Sequence, residues 1–326
     1  MSRLRVALLG CGGIAARHAG AVAALGQEME LVGCCGRDQG RTDAFAAQHG
    51  GDAFIDLDRM IDALAPDLLI ATLPPYARDG EIEHAAARGL HLLVEKPIAL
   101  GMAAAERMVA AAQAAGVVAA NGFMYRFGDA VRRWRASDTG PVGLYAGAYH
   151  CNALHAAWWR EEAKSGGQML EQVIHQIDLI RHLMGEPDTV YARRANLFHY
   201  DVPRYDVEDV SGIMFGWDYG RMATLNASNI AVQGVWHKEW AIYAERLVGR
   251  FTSWNDAVLT PTVGGEAETV AGTTDPFVAQ LADVAAAIRE ARPPAVTLAD
   301  GAASLRLALA ARQAADEGRE IRLAHD

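Results

Sequence analysis

The stretch that decides the fold class is Leu4-Arg5-Val6-Ala7-Leu8-Leu9-Gly10-Cys11-Gly12-Gly13-Ile14-Ala15. Its first six residues form an apolar run typical of a buried strand, and an alanine-rich segment typical of a helix follows at 14–25. Gly10 permits a tight turn, Gly12 lets the backbone approach a pyrophosphate, and Ala15 allows close helix–strand packing. The helix start favours an anion because its N–H groups are unpaired. The stretch therefore predicts a Rossmann dinucleotide-binding domain. The predicted phosphate-binding residues are Gly10, Gly12, Gly13, Ile14 and Ala15.

The end of the next predicted strand, Glu30–Cys35, bears on the choice of coenzyme. An NAD site usually has a carboxylate there, which accepts a hydrogen bond from the ribose 2′-hydroxyl. Here Gly36 occupies that place and Arg37 follows, which suits a 2′-phosphate, although a plain surface role is the alternative for this arginine. Asp38 can still swing back and select NAD. We expect NADP(H) in preference to NAD(H), with Arg37 and Asp38 in the cofactor site.

Two further strands are predicted at 67–73 and 89–94, and a helix at 79–88 separates them. Their carboxyl ends meet at one edge of a parallel sheet, where open α/β sheets bind their ligands. Thr72 and Pro74 end the first strand, and Glu95-Lys96-Pro97 follows the second, so Thr72, Pro74, Glu95 and Lys96 are predicted to bind the coenzyme. The Lys96 ammonium can donate to a substrate hydroxyl and stabilise a developing alkoxide, whereas the alternative is an ordinary exposed cation.

A predicted helix beginning after Gly166-Gly167 carries Glu171, His175, Asp178 and His182 on one stripe. Carboxylates one turn from an imidazole can fix its tautomer and stabilise its cation, so the stripe can act as an acid/base device. The alternative is the solvated face of an ordinary amphipathic helix.

Together these motifs resemble the glucose–fructose oxidoreductase / inositol dehydrogenase / MocA (Gfo/Idh/MocA) family. The resemblance covers essentially the whole chain and implies a Rossmann domain followed by an α/β domain with a large, mostly antiparallel sheet. It also implies hydride transfer between a nicotinamide cofactor and a hydroxyl or carbonyl of a sugar, cyclitol or related polyol. On this resemblance Lys96 and His175 meet the reacting oxygen, and Glu171 lies one turn before the histidine.

Two positions depart from the family pattern. Family dehydrogenases commonly carry Asp where this chain has Glu171, which changes the shape of the pocket. The loop after Pro75 often carries a histidine where this chain has Arg78, so a role of that side chain toward nicotinamide or substrate is in doubt. Asp178 is the usual residue in its place, and we expect it to have a structural part.

Other candidates are weaker. Trp158 and Trp159 can stack on a sugar ring or pack in the core, and Tyr125 lies where the chain crosses between domains. We expect no metal, because Glu171, His175 and Asp178 would need a fourth ligand and Lys96 would oppose the metal charge. His155, His199 and His237 are interpreted as ordinary polar residues. The predicted substrate-binding residues are Lys96, Tyr125, Trp159, Glu171 and His175.

The predicted domains are 1–122, the Rossmann domain, and 123–326, an α/β domain for substrate binding and oligomerisation. The second begins with a crossover and has strand candidates from 142 to 251. Its last helix, about 301–317, is expected to pack back near the Rossmann domain. One sheet face lacks a helical cover, so a homodimer or homotetramer through this C-terminal sheet is expected.

Composition agrees with a two-domain enzyme. The 326 residues are 51% hydrophobic and 21% charged, which provides a core without signs of disorder. The net charge of -10 argues against nucleic acid as a partner. No apolar run approaches the ~20 residues of a membrane span. The four cysteines do not form a disulfide pattern, and with no signal-type segment we expect a cytoplasmic protein.

Two alternative functions remain open from the sequence. One is a nicotinamide-dependent glycosidase that recycles its cofactor within each turnover, as some relatives of the family do. The other is a non-catalytic nucleotide-binding regulator, which is disfavoured because both Lys96 and His175 are present.

Overall fold

The computed structural model describes residues 2–152 and 154–324. The chain divides into two compact units, which are Met1–Met124 with Asp275–Ala302 and Tyr125–Thr274 with Ala303–Asp326. The sequence pattern predicts a single boundary after residue 122 instead. The two descriptions differ in the segment Asp275–Ala302, which groups with the first unit.

A helix at Pro276–Glu290 explains why this segment groups with the first unit. Its Gln280 side chain donates to the Asn121 carbonyl at 2.8 Å, and Phe277 meets the ring of His18 edge-on at 5.3 Å. These contacts join residues that are about 160 and 260 positions apart, so no local pattern in the sequence predicts them.

The first unit contains a six-stranded parallel sheet. Its strands are β1 Leu4–Leu9, β2 Met29–Cys35, β3 Asp52–Phe54, β4 Leu68–Ala71, β5 His91–Val94 and β6 Ala119–Asn121. Their order is β3-β2-β1-β4-β5-β6, which reverses direction between β1 and β4. Strands β1 and β4 are buried almost throughout, because interior strands of a parallel sheet are covered on both faces. The reversal places the ligand crevice at the carboxyl ends of β1 and β4.

Helices connect these strands. They are α1 Gly13–Ala24, α2 Gln39–His49, α3 Leu57–Leu64, α4 Glu81–Ala87 and α5 Met102–Ala115, with a short 3₁₀ turn at Pro75–Ala77. Helices α2 and α3 begin at the aspartates Asp38 and Asp56, whose carboxylates accept a backbone N–H three residues on.

The second unit contains a nine-stranded sheet. Its strands are β7 Val142–His150, β8 Thr189–Ala195, β9 Val210–Gly216, β10 Met222–Ser228, β11 His237–Ala244, β12 Leu247–Phe251, β13 Asp256–Pro261, β14 Glu268–Ala271 and β15 Ile321–Arg322. Their order is β14-β13-β12-β11-β7-β10-β9-β8-β15, and every pair is antiparallel except β7 with β10. The predicted fold class is confirmed. Strands β13 and β14 were not predicted from the sequence.

The helices of this unit lie around the sheet. They are α6 Asp129–Arg135, α7 Glu162–Ser165 and α8 Ile174–Met184, with 3₁₀ turns at Met124–Phe127 and Ala157–Arg160 and a π-helical turn at Met169–Val173. Helix α9 is Pro276–Glu290, and α10, Leu298–Glu317, passes from the first unit into the second. Helix α8 packs on β7, where Gln176 Nε2 donates to the Ala148 carbonyl at 2.8 Å. Over the described residues, none of the helices is both long and apolar enough to cross a membrane.

Candidate active site

The turn between β1 and α1 has the geometry of a phosphate cradle. Gly10 has φ +104°, and a Cβ there would lie 2.6 Å from Thr72 Oγ1, so only glycine fits. Thr72 fixes the same turn by donating to the Leu9 carbonyl at 3.0 Å. A Cβ on Gly12 or Gly13 would meet no described atom within 4 Å, so the first turn of α1 faces open space. A dinucleotide pyrophosphate fits this arrangement.

The end of β2 presents no carboxylate to a ribose. The Asp38 side chain caps α2 by accepting from the Arg41 N–H at 2.8 Å, while Arg37 is exposed. A Cβ on Gly36 would overlap the Thr42 hydroxyl and would lie 3.3 Å from Cys11 Sγ. The position where NAD sites usually carry an acid is therefore closed to a side chain, and the nearest acid is engaged in capping.

Glu95, directly before Lys96, is buried and fully engaged. Its Oε1 lies 2.7 Å from His18 Nε2, and its Oε2 accepts the Lys96 N–H at 3.1 Å. Gly122 leaves room for the carboxylate, because a Cβ there would lie 2.8 Å from Oε2. Burial alone raises the pKa of Glu95, but the hydrogen bond and charge of His18, with the charge of Lys96, outweigh it and the pKa is lowered. Glu95 is therefore an anion that fixes the backbone at Lys96.

Arg78 fixes the other side of the same loop. Its buried guanidinium donates to the carbonyls of Leu73, Pro97 and Ile98, with distances of 2.7 Å to Leu73 and 2.9 Å to Ile98. Burial lowers the pKa of Arg78 to about 10, against the favourable charge of Glu95, and the group remains a cation at neutral pH. This side chain therefore ties the loop after β4 to the segment that follows Lys96.

The two glycines before the candidate catalytic helix also have a physical reason. Gly166 and Gly167 have φ of +79° and +86°, and a Cβ on Gly167 would overlap the carboxylate of Glu208. Glu208 is buried and accepts the Met169 N–H at 2.7 Å, at the start of the π-helical turn. Burial raises the pKa of Glu208, although the hydrogen bond from Met169 opposes the rise. The carboxylate thus caps the turn from which Glu171 extends.

His175 lies in the first turn of α8 and is 9% exposed. Its ring stacks on Tyr125 with centroids 4.4 Å apart and planes 6° from parallel. Tyr125 is itself buried, and burial raises the pKa of its phenol well above neutrality. One turn earlier, Glu171 Oε2 accepts the indole N–H of Trp159 at 3.0 Å. The ring plane of the histidine and one oxygen of the glutamate are therefore fixed.

Asp178 is the structural anchor of this helix. It is fully buried and accepts two hydrogen bonds from Arg126, at 2.7 and 2.6 Å, and one from the Ser304 hydroxyl at 3.0 Å. The interpretation of the stripe as a solvated face is wrong, because His175 and Asp178 both lie inside the unit. These hydrogen bonds connect Asp178 to side chains from two distant segments of the chain, as expected for a residue with a structural role.

Two polar residues of the second unit were not among the predicted site residues. His155 Nε2 lies 3.1 Å from Gln172 Nε2, and the His155 ring packs on Trp159 with centroids 4.1 Å apart. Burial lowers the pKa of His155. Lys238 lies over the rings of three aromatic residues at 4.9 to 5.7 Å, which are Trp236, Tyr149 and Trp254. The position of Lys238 could have been predicted from β11, because alternate residues of a strand point to the same face. Lys238 therefore lies on the same face as buried Trp240 and Ile242.

Family models match both parts of the chain. The model of the Gfo/Idh/MocA oxidoreductase family, with an NAD-binding Rossmann fold, matches residues 4–123, and the model of its C-terminal domain matches 127–247. The chain belongs to the Gfo/Idh/MocA family. The predicted resemblance is confirmed, and the cofactor class of the first unit is a nicotinamide dinucleotide.

Known proteins with similar sequences or structures include sugar and polyol dehydrogenases. The chain is 28% identical over 189 residues to glucose-6-phosphate 3-dehydrogenase of Bacillus subtilis, covering 55% of this chain and 53% of that protein. It is 25% identical over 254 residues to myo-inositol 2-dehydrogenase of Thermotoga maritima, covering 72% of each. A levoglucosan dehydrogenase solved with NADH and levoglucosan gives a TM-score of 0.91 at 18% identity, over 99% of this chain and 100% of that one. The aligned part is thus about half of the Bacillus protein, and the third match shows a shared fold.

The predicted site residues of this Gfo/Idh/MocA protein fall into two groups. The first unit holds Gly10, Gly12, Gly13, Ile14, Ala15, Arg37, Asp38, Thr72, Pro74, Glu95 and Lys96. The second unit holds Tyr125, Trp159, Glu171 and His175. Direct contacts join Tyr125 to His175 and Trp159 to Glu171. The assignment of each residue to coenzyme, substrate or catalysis stays a prediction.

The space next to Gly167 gives a test of the glycine pair. Replacing Gly167 with Ala should lower the free energy of unfolding by about 2–4 kcal/mol, because left-handed strain adds to overlap with Glu208. Gly89→Ala is the matched control, since Gly89 has φ +80° and no described atom within 4 Å of its Cβ position. It should lose only about 1 kcal/mol from strain. Urea unfolding of both variants measures the difference, and equal losses would show that the Glu208 contact is unimportant.

Proposed function

We propose that this protein is an NAD(P)-dependent oxidoreductase that transfers a hydride between a nicotinamide cofactor and a hydroxyl or carbonyl of a sugar, cyclitol or related polyol. The observation that carries the proposal is the fixed Glu95-Lys96-Pro97 loop at the carboxyl end of β5 in a Gfo/Idh/MocA chain. The names of the similar proteins, which act on glucose 6-phosphate, myo-inositol and levoglucosan, support the substrate class.

In the proposed reaction, a bound nicotinamide ring supplies the hydride acceptor or donor. His175 takes the proton from the substrate hydroxyl as general base, or returns it in the reductive direction. The Lys96 ammonium donates to the same oxygen and stabilises its partial negative charge. Stacking on Tyr125 holds the imidazole plane and so preorganises the proton transfer. Either Lys96 or His175 can formally carry the proton.

The remaining substrate contacts are proposed for Glu171, Trp159 and Tyr125. Trp159 is buried against Tyr205 and Val207 and holds one oxygen of Glu171 with its indole N–H. In this proposal the Glu171 carboxylate orients the imidazole or a neighbouring substrate hydroxyl. The longer arm of glutamate, compared with the aspartate common in the family, changes the depth of the pocket at this point.

For the coenzyme we propose a preference for NADP(H) over NAD(H). Three features support it: the glycine at position 36, the exposed guanidinium of Arg37, and the engagement of Asp38 as the cap of α2. Charge-assisted hydrogen bonds to a 2′-phosphate are roughly twice as strong as neutral ones, which favours the phosphorylated coenzyme.

We also propose that the protein forms a homodimer, or a homotetramer built from it, through the outer face of the nine-stranded sheet. Met214, Met222, Tyr243 and Val258 point to this face with 37–44% exposure, and Leu144 pairs with both Met222 and Tyr243. A two-fold pairing would bury these apolar side chains against the same face of a second copy. A small-molecule substrate is the only other partner proposed.

A cytoplasmic location is proposed from the cysteines. Cys11, Cys34, Cys35 and Cys151 are all free thiols, as expected in a reducing compartment.

Lys96→Met tests the catalytic assignment. The variant should lose at least about 10²-fold in kcat, because it removes a donor to the developing charge, while coenzyme affinity stays within about threefold. Absorbance assays over sugars, cyclitols and keto-sugars measure turnover, and coenzyme fluorescence measures binding. Lys164→Met, on a lysine paired with Glu161, is the control and should keep normal turnover. A fully active Lys96→Met variant would overturn the assignment.

Arg37→Ala tests the coenzyme preference. It should lower kcat/KM for NADP⁺ about 10- to 100-fold and leave kcat/KM for NAD⁺ within about twofold, since one charge-assisted contact to the 2′-phosphate is worth about 1.5–3 kcal/mol. Arg59→Ala, on an exposed arginine of α3, is the control. A wild-type enzyme that prefers NAD⁺ would contradict the proposal before any mutation is made.

Met214→Lys tests the assembly. Burying an unpaired ammonium in an apolar interface is costly, so the variant should be a monomer where the wild type is a dimer or tetramer. Light scattering after size-exclusion chromatography gives the mass of each. Tyr219→Lys changes an exposed apolar residue in the turn after β9 and should leave the mass unchanged. A monomeric wild type would rule out this interface.

A further inference from the structure

Lys238 of the second unit is held in a box of three aromatic rings. Its Nζ lies 4.9 Å from the centre of the Trp236 ring, 5.4 Å from that of Tyr149 and 5.7 Å from that of Trp254. A cation is attracted to the face of an aromatic ring, so the three rings together fix the position of the ammonium. The proposed reaction gives this side chain no role.

The box lies on the sheet face that carries the candidate catalytic helix. A Cβ on Gly147 of β7 would overlap the Gln176 side chain of α8, so α8 covers this face. Tyr149 projects to the same side as Gly147, because alternate residues of a strand share a face. Lys238 of β11 is the direct partner of Tyr149, and paired residues of neighbouring strands project together. Lys238 therefore leaves the sheet on the side of α8.

A chain of stacked rings leads from Lys238 to His175. The Trp254 ring, which Lys238 contacts, lies 4.7 Å from the ring of Tyr125, measured between centroids. Tyr125 in turn stacks on His175 at 4.4 Å. Trp254 is fixed by its backbone, because its carbonyl accepts two N–H groups from the first turn of α6. The ammonium and the candidate general base are therefore only two aromatic rings apart.

A second chain of contacts leads from Lys238 to Glu171. The Trp236 ring, which also contacts Lys238, lies 5.8 Å from His155, and His155 lies 4.1 Å from Trp159. The Trp159 indole donates to Glu171 at 3.0 Å. Since Glu171 lies one turn before the histidine on the catalytic helix, the two chains form a closed rim with the ammonium and that turn as its two ends.

The end of the rim at Lys238 has the chemistry of an anion site. Trp236 is 44% exposed and Lys238 is half-buried, so a ligand can reach this end from solvent. The ring faces turned toward Lys238 already hold a cation, so a ligand that enters there meets an ammonium. Hydrogen bonds between an ammonium and a phosphate or carboxylate oxygen are among the strong ones, because both partners are charged.

We propose that Lys238 is a specificity-determining residue that binds an anionic substituent, a phosphate or a carboxylate, on the sugar or polyol substrate. The inference rests on the proposed function, since it concerns the same substrate whose hydroxyl meets His175. The carboxylate of Glu171 repels an anionic group, so the charged end of the substrate turns to Lys238 and a hydroxyl-bearing end to α8. The indoles of the rim offer apolar faces to the C–H groups of the ring between these ends.

The first test compares matched substrates with the wild-type protein and each coenzyme. Glucose is compared with glucose 6-phosphate and with glucuronate, and myo-inositol with its monophosphates, by absorbance of the reduced nicotinamide. One charge-assisted hydrogen bond predicts a kcat/KM about 10- to 100-fold higher for a charged member than for its neutral parent. The phosphate and carboxylate members show which anion is bound. Neutral parents that react as well as every charged member would overturn the inference and leave the proposed function intact.

Variants assign the preference to the ammonium. Lys238→Met should lower the ratio of kcat/KM for the charged over the neutral substrate about 10- to 100-fold, whereas Lys238→Arg, which keeps the charge, should retain most of it. Lys164→Met, on a lysine paired with Glu161, is the control and should keep the wild-type ratio. The same ratio in Lys238→Met as in the wild type would contradict the assignment.

A binding measurement decides the matter even if none of these sugars is oxidised, which would count against the proposed function alone. All seven tryptophans lie in the second unit, and two of them flank Lys238. With coenzyme saturating, inorganic phosphate should therefore change the tryptophan fluorescence of the wild type saturably. The change should be lost in Lys238→Met and kept in Lys164→Met. No saturable change in the wild type, or an equal change in Lys238→Met, would overturn the inference.

Discussion

The bidentate ion pair between Arg126 and Asp178 is the constraint on which the candidate catalytic helix depends. A carboxylate buried this completely needs a hydrogen-bonded counterion, and loss of such a partner typically costs about 3–5 kcal/mol. The residue before Arg126 is Tyr125, which stacks on His175, three positions before Asp178 on the same helix. The adjacent residues Tyr125 and Arg126 therefore contact two side chains that lie one helical turn apart on α8. The ion pair fixes both the register of α8 and the plane of its imidazole.

In the first unit, hydrogen bonds to backbone groups hold the chain around Lys96 in place. Glu95 holds the N–H of Lys96, His18 holds Glu95, and Arg78 holds the carbonyls of Pro97 and Ile98 just beyond the lysine. In both units a buried charged residue holds the structure around a candidate catalytic residue. Glu95 directly precedes Lys96 in the chain, and Asp178 lies one helical turn after His175. Such charges are costly to bury, which is why each has several hydrogen-bonding partners.

The sequence predicts those parts of the molecule that are encoded locally. The strand, glycine turn and helix around Gly10 can be predicted from the residue spacing alone. The separation of one helical turn between Glu171 and His175 can be predicted in the same way. The contacts that join distant segments do not: His18 with Glu95, Arg126 with Asp178 and α9 with α1 have no periodic signal. Strand β14 was missed because it is short and almost wholly exposed, so it has no apolar alternation to detect. The π-helical turn at Met169–Val173 was missed for a related reason, since Glu208, nearly forty residues on, caps its first N–H.

Gly36 determines which side chains can occupy the end of β2. A carboxylate at this position would accept the ribose hydroxyls of NAD, but its Cβ would overlap the Thr42 hydroxyl and reach the sulfur of Cys11. A glycine at position 36 therefore leaves the end of β2 without an acid side chain, and Asp38, two positions on, is engaged as the cap of α2 through the Arg41 N–H.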